Sequence, residues 1–186
     1  MTEAEWVEQM AQDIRRARLG QTPSLSVQTG LRVPYGYEIR SYGEDLKPSS
    51  ISFQTDLAIV ETDERGQWKP RVVIEAKIRR INTHDCITYS HKAASHKAVH
   101  PYLRYGIMLG EREHYPLPGR LYRHGLNFDF MISFSSTKPT RAEKRRFLEL
   151  LRAEIEASRA VEKIIYESRS KSRDHYTLLH RRLHLE

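Results

Sequence analysis

Two mostly apolar runs flank a polar turn in the stretch 53–77. The first run is FQTDLAIVE, the turn is TDERGQWKP, and the second run is RVVIEAK. Two apolar runs around a Gly-containing turn predict a β-hairpin. Because both runs are mostly apolar on both faces, we expect their strands to lie inside a sheet rather than at its edge.

Helical spacing of apolar residues predicts three helices around this hairpin. Capping boxes begin the first and the third, formed by Thr2 with Glu5 and by Thr140 with Glu143. The apolar face of the second helix is formed by Ile87, Ala94, Ala98 and Val99. The predicted spans are 2–20, 83–100, and 140 almost to the C-terminus, with a break near 168–174 and a short basic terminal helix.

Three further strands are predicted from short apolar or alternating runs, at 35–42, 105–109 and 126–134. Residues 21–34 are predicted as a loop or extended segment, and residues 110–120 as a surface loop. The order is then helix, three strands, helix, two strands and helix. Such an order predicts a mixed α/β domain with a central sheet and helices on both faces.

Length and composition favour a single soluble globular domain. The chain has 186 residues, of which 39% are hydrophobic and 30% charged. No apolar run is long enough to cross a bilayer, and the acidic, amphipathic N-terminus has no signal-peptide core. A lone cysteine, Cys86, excludes an internal disulfide. We therefore expect a cytoplasmic protein that makes no membrane contact.

The net charge indicates the kind of partner. At pH 7 the formal charge is +7. A basic excess favours association with polyanions, because lysine and arginine neutralise phosphates and release counterions. Charge alone does not identify a nucleic-acid-binding protein, but it strengthens any independent sign of phosphate chemistry.

Three charged residues in the predicted hairpin supply such a sign: Asp56, Glu75 and Lys77. Charges inside apolar strands are costly unless they are paired, hydrogen-bonded or bound to a cation. Mg²⁺ takes oxygen ligands, so Asp56 and Glu75 could bind it, with the carbonyl of Ala76 nearby as a third oxygen. Lys77 points to the same side as Glu75. The alternative places Asp56 in a turn and Glu75 and Lys77 on a solvated strand face.

Asp56 in FQTDLAIVE, with Glu75 and Lys77 in VVIEAK, resembles the motif of the PD-(D/E)xK nuclease superfamily. Thr55 stands where that motif has its proline. The resemblance implies a restriction-endonuclease-like fold, with an αβββαβ core and a mixed central sheet over residues 1–139. Residues 140–186 are then a C-terminal helical extension of the same domain.

The same resemblance implies hydrolysis of DNA phosphodiester bonds with Mg²⁺, for which Mn²⁺ can substitute. Asp56, Glu75 and the Ala76 carbonyl would bind the metal, and Lys77 would position or activate water. The small size suggests a type II restriction enzyme acting as a homodimer. The alternatives are a structure-specific nuclease of DNA junctions or repair, a nuclease that acts on RNA, and a non-catalytic nucleic-acid-binding protein of the same fold.

Members of this superfamily often add a glutamate from the first helix to the metal site. Glu3 and Asp13 are the candidates on the first predicted helix, and Glu38 is a further candidate on the strand 35–42. The competing interpretation has Glu3 and Asp13 as solvated helix-end acids. For Glu38 it is an ion pair with Arg40.

Basic residues follow the hairpin and continue along the second predicted helix. In the resembled family the first turns of this helix flank the active site, which implies contacts with DNA or the scissile phosphate. The alternative is a basic solvated helix face. The candidate contacts are Arg79, Arg80, His91, Lys92 and His96.

Overall fold

The fold is built on a central five-stranded sheet with helices on both faces. The computed structural model describes residues 1–17, 19, 24–39, 41–42, 48–112 and 117–167. In chain order the elements are α1 (Glu3–Arg16), β1 (Leu25–Thr29), β2 (Arg32–Glu38), β3 (Ser49–Gln54), β4 (Leu57–Thr62), β5 (Trp68–Ile78), α2 (Thr83–Val99), β6 (Arg104–Gly110), α3 (Gly119–His124), β7 (Phe130–Ser133) and α4 (Arg141–Tyr166).

The central sheet has the order β1-β4-β5-β6-β7. Neighbours β1–β4 and β4–β5 are antiparallel, whereas β5–β6 and β6–β7 are parallel. The helix α2 connects β5 to β6, as parallel neighbours require a crossover. The predicted α/β class with a mixed sheet and a C-terminal helix is therefore confirmed, and β4 and β5 both lie inside the sheet.

The predicted hairpin exists, but it is shorter than the stretch 53–77. Its first strand, β4, begins at Leu57, and its turn is closed by Asp63, whose Oδ1 accepts from the amides of Arg65 and Gln67. Gly66 has a φ of 75° there, a conformation that glycine adopts without strain. The residues before Thr55 belong to another sheet, so FQTDLAIVE is two strands and not one.

That second sheet is an antiparallel ribbon of β2 and β3. Its strand β2 covers part of the predicted strand 35–42 but begins earlier, at Arg32. The segment 21–34, predicted as loop or extended, contains the whole of β1. The ribbon packs on α2, where Val33 is fully buried and the rings of Tyr35 and Phe53 stack 3.7 Å apart.

One face of the central sheet carries α1 and α4 over a largely apolar core. Trp6, Met10 and Ile14 of α1 and Phe147 and Leu151 of α4 are almost fully buried there. Their spacing of four residues places them on one side of each helix. Of the two arrangements open for a long C-terminal helix, a cover over the sheet or a protruding arm, the described part of α4 forms the cover.

The opposite face carries α2, whose buried side differs from the predicted one. The buried residues of this helix are Cys86, Ser90, Ala93 and His96, whereas Ile87 is 50% exposed. Small and polar side chains allow α2 to approach the sheet closely, and apolar periodicity could not identify such a face.

The remaining predictions concern the C-terminal half. The predicted loop 110–120 contains the start of α3, and β7 is shorter than the predicted strand 126–134. The capping box of Thr140 and Glu143 is present at the start of α4. The predicted break near 168–174 and the basic terminal helix lie outside the described residues. Within the described helices, none is long and apolar enough to cross a membrane.

Candidate active site

Asp56 lies where the chain leaves the ribbon and enters the central sheet. The preceding residue, Thr55, is fully buried, and its amide and hydroxyl both donate to the carbonyl of Leu31 at 3.0 Å. The carbonyl of Asp56 accepts from the amide of Gly30 at 3.3 Å. These bonds fix the backbone on both sides of the junction, and they hold Asp56 immediately before the first residue of β4.

The Asp56 carboxylate bonds to the part of β5 that extends beyond the end of β4. The last pair between β4 and β5 is Leu57 with Ile74, so β5 continues beyond its partner. There Asp56 Oδ2 accepts from the Ala76 amide at 2.8 Å. The amide and carbonyl of one strand residue point to the same side. The carbonyl of Ala76 therefore also faces the side on which Asp56 lies.

Glu75 is buried beside this bond and held by two donors. Its side chain is 1% exposed, and its Oε1 accepts from the Tyr105 hydroxyl at 2.5 Å and lies 2.7 Å from Lys92 Nζ. Burial raises the pKa of Glu75 to about 7, since the favourable charge of Lys92 only partly offsets it and the Asp56 carboxylate adds to it. Glu75 is thus close to half-ionised near neutral pH.

Lys92 connects the two halves of the site. Besides Glu75 on β5, its ammonium contacts the carbonyl of Gln54 at 3.2 Å, two residues before Asp56. The same nitrogen lies 5.7 Å from the centre of the Phe53 ring and 5.4 Å from that of Tyr89. One side chain of α2 therefore ties the end of the ribbon to the central carboxylate.

Lys77 lies on the same side of β5 as Glu75 but is more accessible. Its Nζ is 3.2 Å from Glu3 Oε1, and the other Glu3 oxygen accepts from the Ile78 amide at 3.4 Å. Burial disfavours the charged form, but the hydrogen bond with Tyr89 and the nearby Glu3 carboxylate outweigh it and raise the pKa of Lys77. Lys77 is therefore an ammonium ion at neutral pH and a poor proton acceptor.

Three acids were candidates for an additional carboxylate at the metal site, and of these three the structure brings only Glu3 close to it. Its place follows from the start of α1, where Thr2 caps the helix and orients the first turn toward the end of β5. Asp13 lies three turns further along and pairs with Lys144 at 2.7 Å. Glu38 is exposed in the outer part of the ribbon. Neither of these two acids approaches Asp56.

A cleft of about 320 Å³ opens beside Asp56, between α1 and the ends of β1 and β3. It gives solvent access to the site from the α1 side, since Glu3 and Asp56 both line it. The remaining lining residues are Ala4, Val7, Glu8, Thr29, Gly30, Gln54 and Thr55.

The candidate phosphate contacts separate into three groups. Arg79, Arg80 and His91 are exposed, as direct contact with DNA requires. Lys92 is inside the site and engaged with Glu75. The prediction for His96 is wrong, because this side chain is fully buried, lies 3.1 Å from the Val33 carbonyl and stacks on Tyr105. Burial lowers its pKa to about 4, so it is neutral.

The chemistry of the donors fits a hard divalent cation. The hydrogen bonds among described residues use Oδ2 of Asp56 and Oε1 of Glu75, which leaves one oxygen on each carboxylate. Two carboxylate oxygens suit Mg²⁺, which usually keeps several waters. Over the described ranges, no three or more His, Cys, Asp or Glu side chains form a group that could hold an ion by themselves. Water and substrate oxygens would have to complete the shell.

Two tyrosines of the site, Tyr89 and Tyr105, were not among the site residues predicted from the sequence. Tyr105 begins the apolar run of β6, and Tyr89 lies one helical turn before Lys92. A buried tyrosine hydroxyl usually needs a hydrogen-bond partner. A tyrosine inside an apolar strand beside one that carries a buried acid was therefore the available signal, although sequence could not pair Tyr105 with Glu75.

No protein-family model matches this chain, and no curated protein matches it in sequence.

Proposed function

We propose that the protein is a metal-dependent endonuclease that hydrolyses phosphodiester bonds of DNA. The observation that carries the proposal is the bond from the Ala76 amide to Asp56 Oδ2. It joins residues 20 positions apart and brings Asp56, Glu75 and Lys77 to one end of β5. Burial of Glu75 and a solvent cleft beside Asp56 add the features expected of a reactive centre.

The side chains have distinct roles in this proposal. Asp56, Glu75 and the Ala76 carbonyl would hold Mg²⁺, which when bound supplies Lewis acidity and lowers the pKa of a bound water. Lys77, protonated, stabilises negative charge that develops on the phosphate and orients water by donating to it. Glu3 orients Lys77. Because the pKa of Lys77 is raised, we assign it an electrostatic role and not that of a general base.

The order of the elements gives independent support. Without the ribbon, the chain runs from α1 through the antiparallel strands β1, β4 and β5 to α2 and the parallel strand β6. This is one helix, three strands, a helix and a strand, the αβββαβ order of the PD-(D/E)xK nucleases. Asp56 lies at the junction before the second of these strands, and Glu75 and Lys77 lie on the third.

The test is cleavage of supercoiled plasmid with Mg²⁺, with EDTA as the metal-free control. Asp56→Asn retains an oxygen that can accept from Ala76 but removes the charge, and Lys77→Ala removes the ammonium. Matched controls are Glu64→Gln, in the turn at the far end of the hairpin, and Lys163→Ala, exposed on α4. We expect nicked and linear products from the wild type and both controls, and none from the two site variants.

The substrate then separates the kinds of nuclease. Discrete fragments favour a restriction-type enzyme, which we expect to act as a homodimer so that both strands are cut, and sedimentation during the assay measures its oligomeric state. Cleavage of branched DNA alone favours a junction or repair enzyme, and cleavage of RNA alone excludes a deoxyribonuclease. Full activity of Asp56→Asn or of Lys77→Ala would contradict the mechanism.

A second candidate is a non-catalytic nucleic-acid-binding protein with this fold. The observation that favours it is Lys92, whose ammonium already compensates the charge of Glu75 at 2.7 Å. Calorimetric titration with Mg²⁺ distinguishes the two candidates. Heat of binding that disappears in Asp56→Asn supports the nuclease. Absence of any heat, together with no cleavage of duplex, branched or single-stranded DNA, supports the binding protein.

A further inference from the structure

The strands β5 and β6 end side by side, and the residue after each has an unusual backbone. Arg79 has a φ of 66° and Glu111 a φ of 54°. Residues other than glycine rarely adopt positive φ, and such strain often occurs at functional sites. The two residues form an ion pair of 2.6 Å, and the Arg79 amide donates to the carbonyl of Gly110, the residue before Glu111.

Arginines from separate elements converge on this end of the sheet. Arg112, after β6, donates to the carbonyl of Arg79 at 3.1 Å, and Arg120 of α3 donates to the carbonyl of Ile81 at 3.0 Å. Arg80, between these two carbonyls, is exposed. We call Arg79, Arg80, Arg112 and Arg120 the arginine edge.

Much of the charge of the arginine edge is available to a ligand. Each guanidinium has five N–H donors, and the bonds of Arg112 and Arg120 to carbonyls each use one nitrogen without neutralising the charge. Glu111 offsets Arg79. Arg80 makes no hydrogen bond or ion pair with another residue of the described ranges. Planar guanidinium groups match the oxygens of phosphate and can bind two of them at once, whereas a lysine ammonium acts as a point charge.

The arginine edge adjoins the candidate active site. Arg79 and Arg80 follow Lys77 by two and three residues, so their Cα atoms lie no more than about 10 Å from that of Lys77. A DNA strand whose phosphate lay at Asp56 and Lys77 would therefore place its neighbouring phosphates within reach of these side chains.

We propose that the arginine edge binds the phosphate backbone of duplex DNA beside the scissile phosphate. The inference rests on the proposed nuclease function for the position of the scissile bond. It adds Arg112 and Arg120, which the sequence did not indicate, and it assigns Glu111 as an internal competitor of DNA for Arg79.

The experiment measures binding without cleavage. Fluorescence anisotropy follows a labelled 20-base-pair duplex in EDTA from 50 to 300 mM KCl. For Arg80→Ala and Arg120→Lys we expect about fivefold weaker binding, and for Arg80→Ala a salt slope shallower by about 0.9, as for one lost phosphate contact. Glu111→Gln should bind more tightly, because Arg79 loses its partner. Arg65→Ala is the matched control, since Arg65 lies in the turn beyond the start of β5, and β5 spans 11 residues, about 33 Å of strand.

The outcomes separate this inference from the nuclease proposal. The arginine edge is refuted if Arg80→Ala keeps the affinity and salt slope of the wild type, or if Arg65→Ala weakens binding equally. It is also refuted if the wild type does not bind duplex DNA at 50 mM KCl or binds duplex RNA more tightly. Loss of affinity in Arg80→Ala, with no cleavage by the wild type in Mg²⁺, supports the arginine edge and refutes the nuclease. Thermal unfolding of each variant verifies that it is folded.

Discussion

Two glutamate–lysine pairs each include one residue of β5, and they differ mainly in burial. In the first, Glu75 and Lys92 are 2.7 Å apart, with side chains 1% and 15% exposed. In the second, Glu3 and Lys77 are 3.2 Å apart, with side chains 37% and 23% exposed. Their chemistry is the same, but their surroundings give them different costs and different uses.

Because the first pair is buried, neither partner can be removed without a large loss of stability, whereas the partners of the second pair can separate at little cost. Removing one partner of a buried pair leaves an uncompensated charge, which typically costs about 3 to 5 kcal/mol. A pair near the surface contributes about 0 to 1 kcal/mol, because water solvates each partner alone. Glu75 and Lys92 therefore maintain the structure of the site, whereas Lys77 can leave Glu3 at little cost.

The largest expected effect follows loss of Lys92. Lys92→Met leaves Glu75 buried with the Tyr105 hydroxyl as its one hydrogen-bond donor among the described residues, so we expect the free energy of unfolding at pH 8 to fall by about 4 kcal/mol. The measurement is urea unfolding in EDTA. The control is Lys92→Met with Glu75→Gln, which removes both charges and should recover most of the loss. A single variant within about 0.5 kcal/mol of the wild type would show that the pair is not buried.

The next effect depends on pH. The pKa of Glu75 is raised by burial from 4.5 to about 7 in the folded state. The folded protein therefore favours the protonated acid, and its stability falls as the pH rises from 4.5 to about 7. We expect wild type to lose about 3 kcal/mol relative to Glu75→Gln over this range, at about 1.4 kcal/mol per pKa unit. Unfolding curves of both proteins at pH 4.5 and 7.5 measure the difference.

His96 also makes stability depend on pH, so the effect of Glu75 is measured as the difference between wild type and Glu75→Gln. Its pKa is lowered by burial from 6.5 to about 4. The neutral ring is favoured in the fold, so its contribution is complete above pH 6.5 and is lost as the pH falls toward 4. Glu75 and His96 thus have opposite effects between pH 4.5 and 6.5. Parallel pH profiles of wild type and Glu75→Gln would contradict the raised pKa of Glu75.

A smaller effect is expected from the second donor to Glu75. Tyr105→Phe removes the hydroxyl that lies 2.5 Å from Oε1 and retains the ring that stacks on His96. A hydrogen bond to a charged group contributes about 2 kcal/mol, so we expect a loss of that size at pH 8. Thermal or urea unfolding measures it, with the exposed Tyr122→Phe as control. A loss as small as that of the control would mean that Lys92 alone holds Glu75.

The smallest stability effect should come from the half-buried pair of Glu3 and Lys77. Lys77→Met and Glu3→Gln should each change the free energy of unfolding by less than about 1 kcal/mol. If the protein is the proposed nuclease, Lys77→Met nevertheless abolishes cleavage, whereas Glu3→Gln reduces it. A loss of stability above about 2 kcal/mol in Lys77→Met would show that this pair also belongs to the structural part of the site.

Local signals explain which parts of the fold sequence could predict. The capping boxes at Thr2 and Thr140 act over three residues, and both are present as predicted. The turn of the β4–β5 hairpin is also local. The division of FQTDLAIVE into two strands is not, because it depends on the bond from the Thr55 amide to the Leu31 carbonyl, 24 residues earlier. The hydrophobic pattern of the run gave no sign of it.

The candidate site shows the same limit. Asp56, Glu75 and Lys77 were identifiable because charges in apolar strands require an explanation. Lys92 was identifiable only as a basic residue on a polar helix, since apolar periodicity assigned the wrong face of α2 to the interior. The contact between Lys92 and Glu75 depends on how closely α2 approaches the sheet. Small buried residues such as Ser90 and Ala93 determine that distance.

The closure of the ribbon at its base has a consequence for the redesign of the protein. Leu31 and Thr55 are hydrogen-bonded to each other, and β1 and β4 pair directly from Thr29 with Leu57 onward. The ribbon is therefore an excursion from a β1–β4 hairpin, and its two ends meet where a short turn would otherwise stand. Segments whose ends meet in this way can be lengthened, shortened or exchanged, because insertions and deletions there leave the surrounding elements intact. Here such an exchange would replace the surroundings of Asp56 while the chain that holds Glu75 and Lys77 stayed the same.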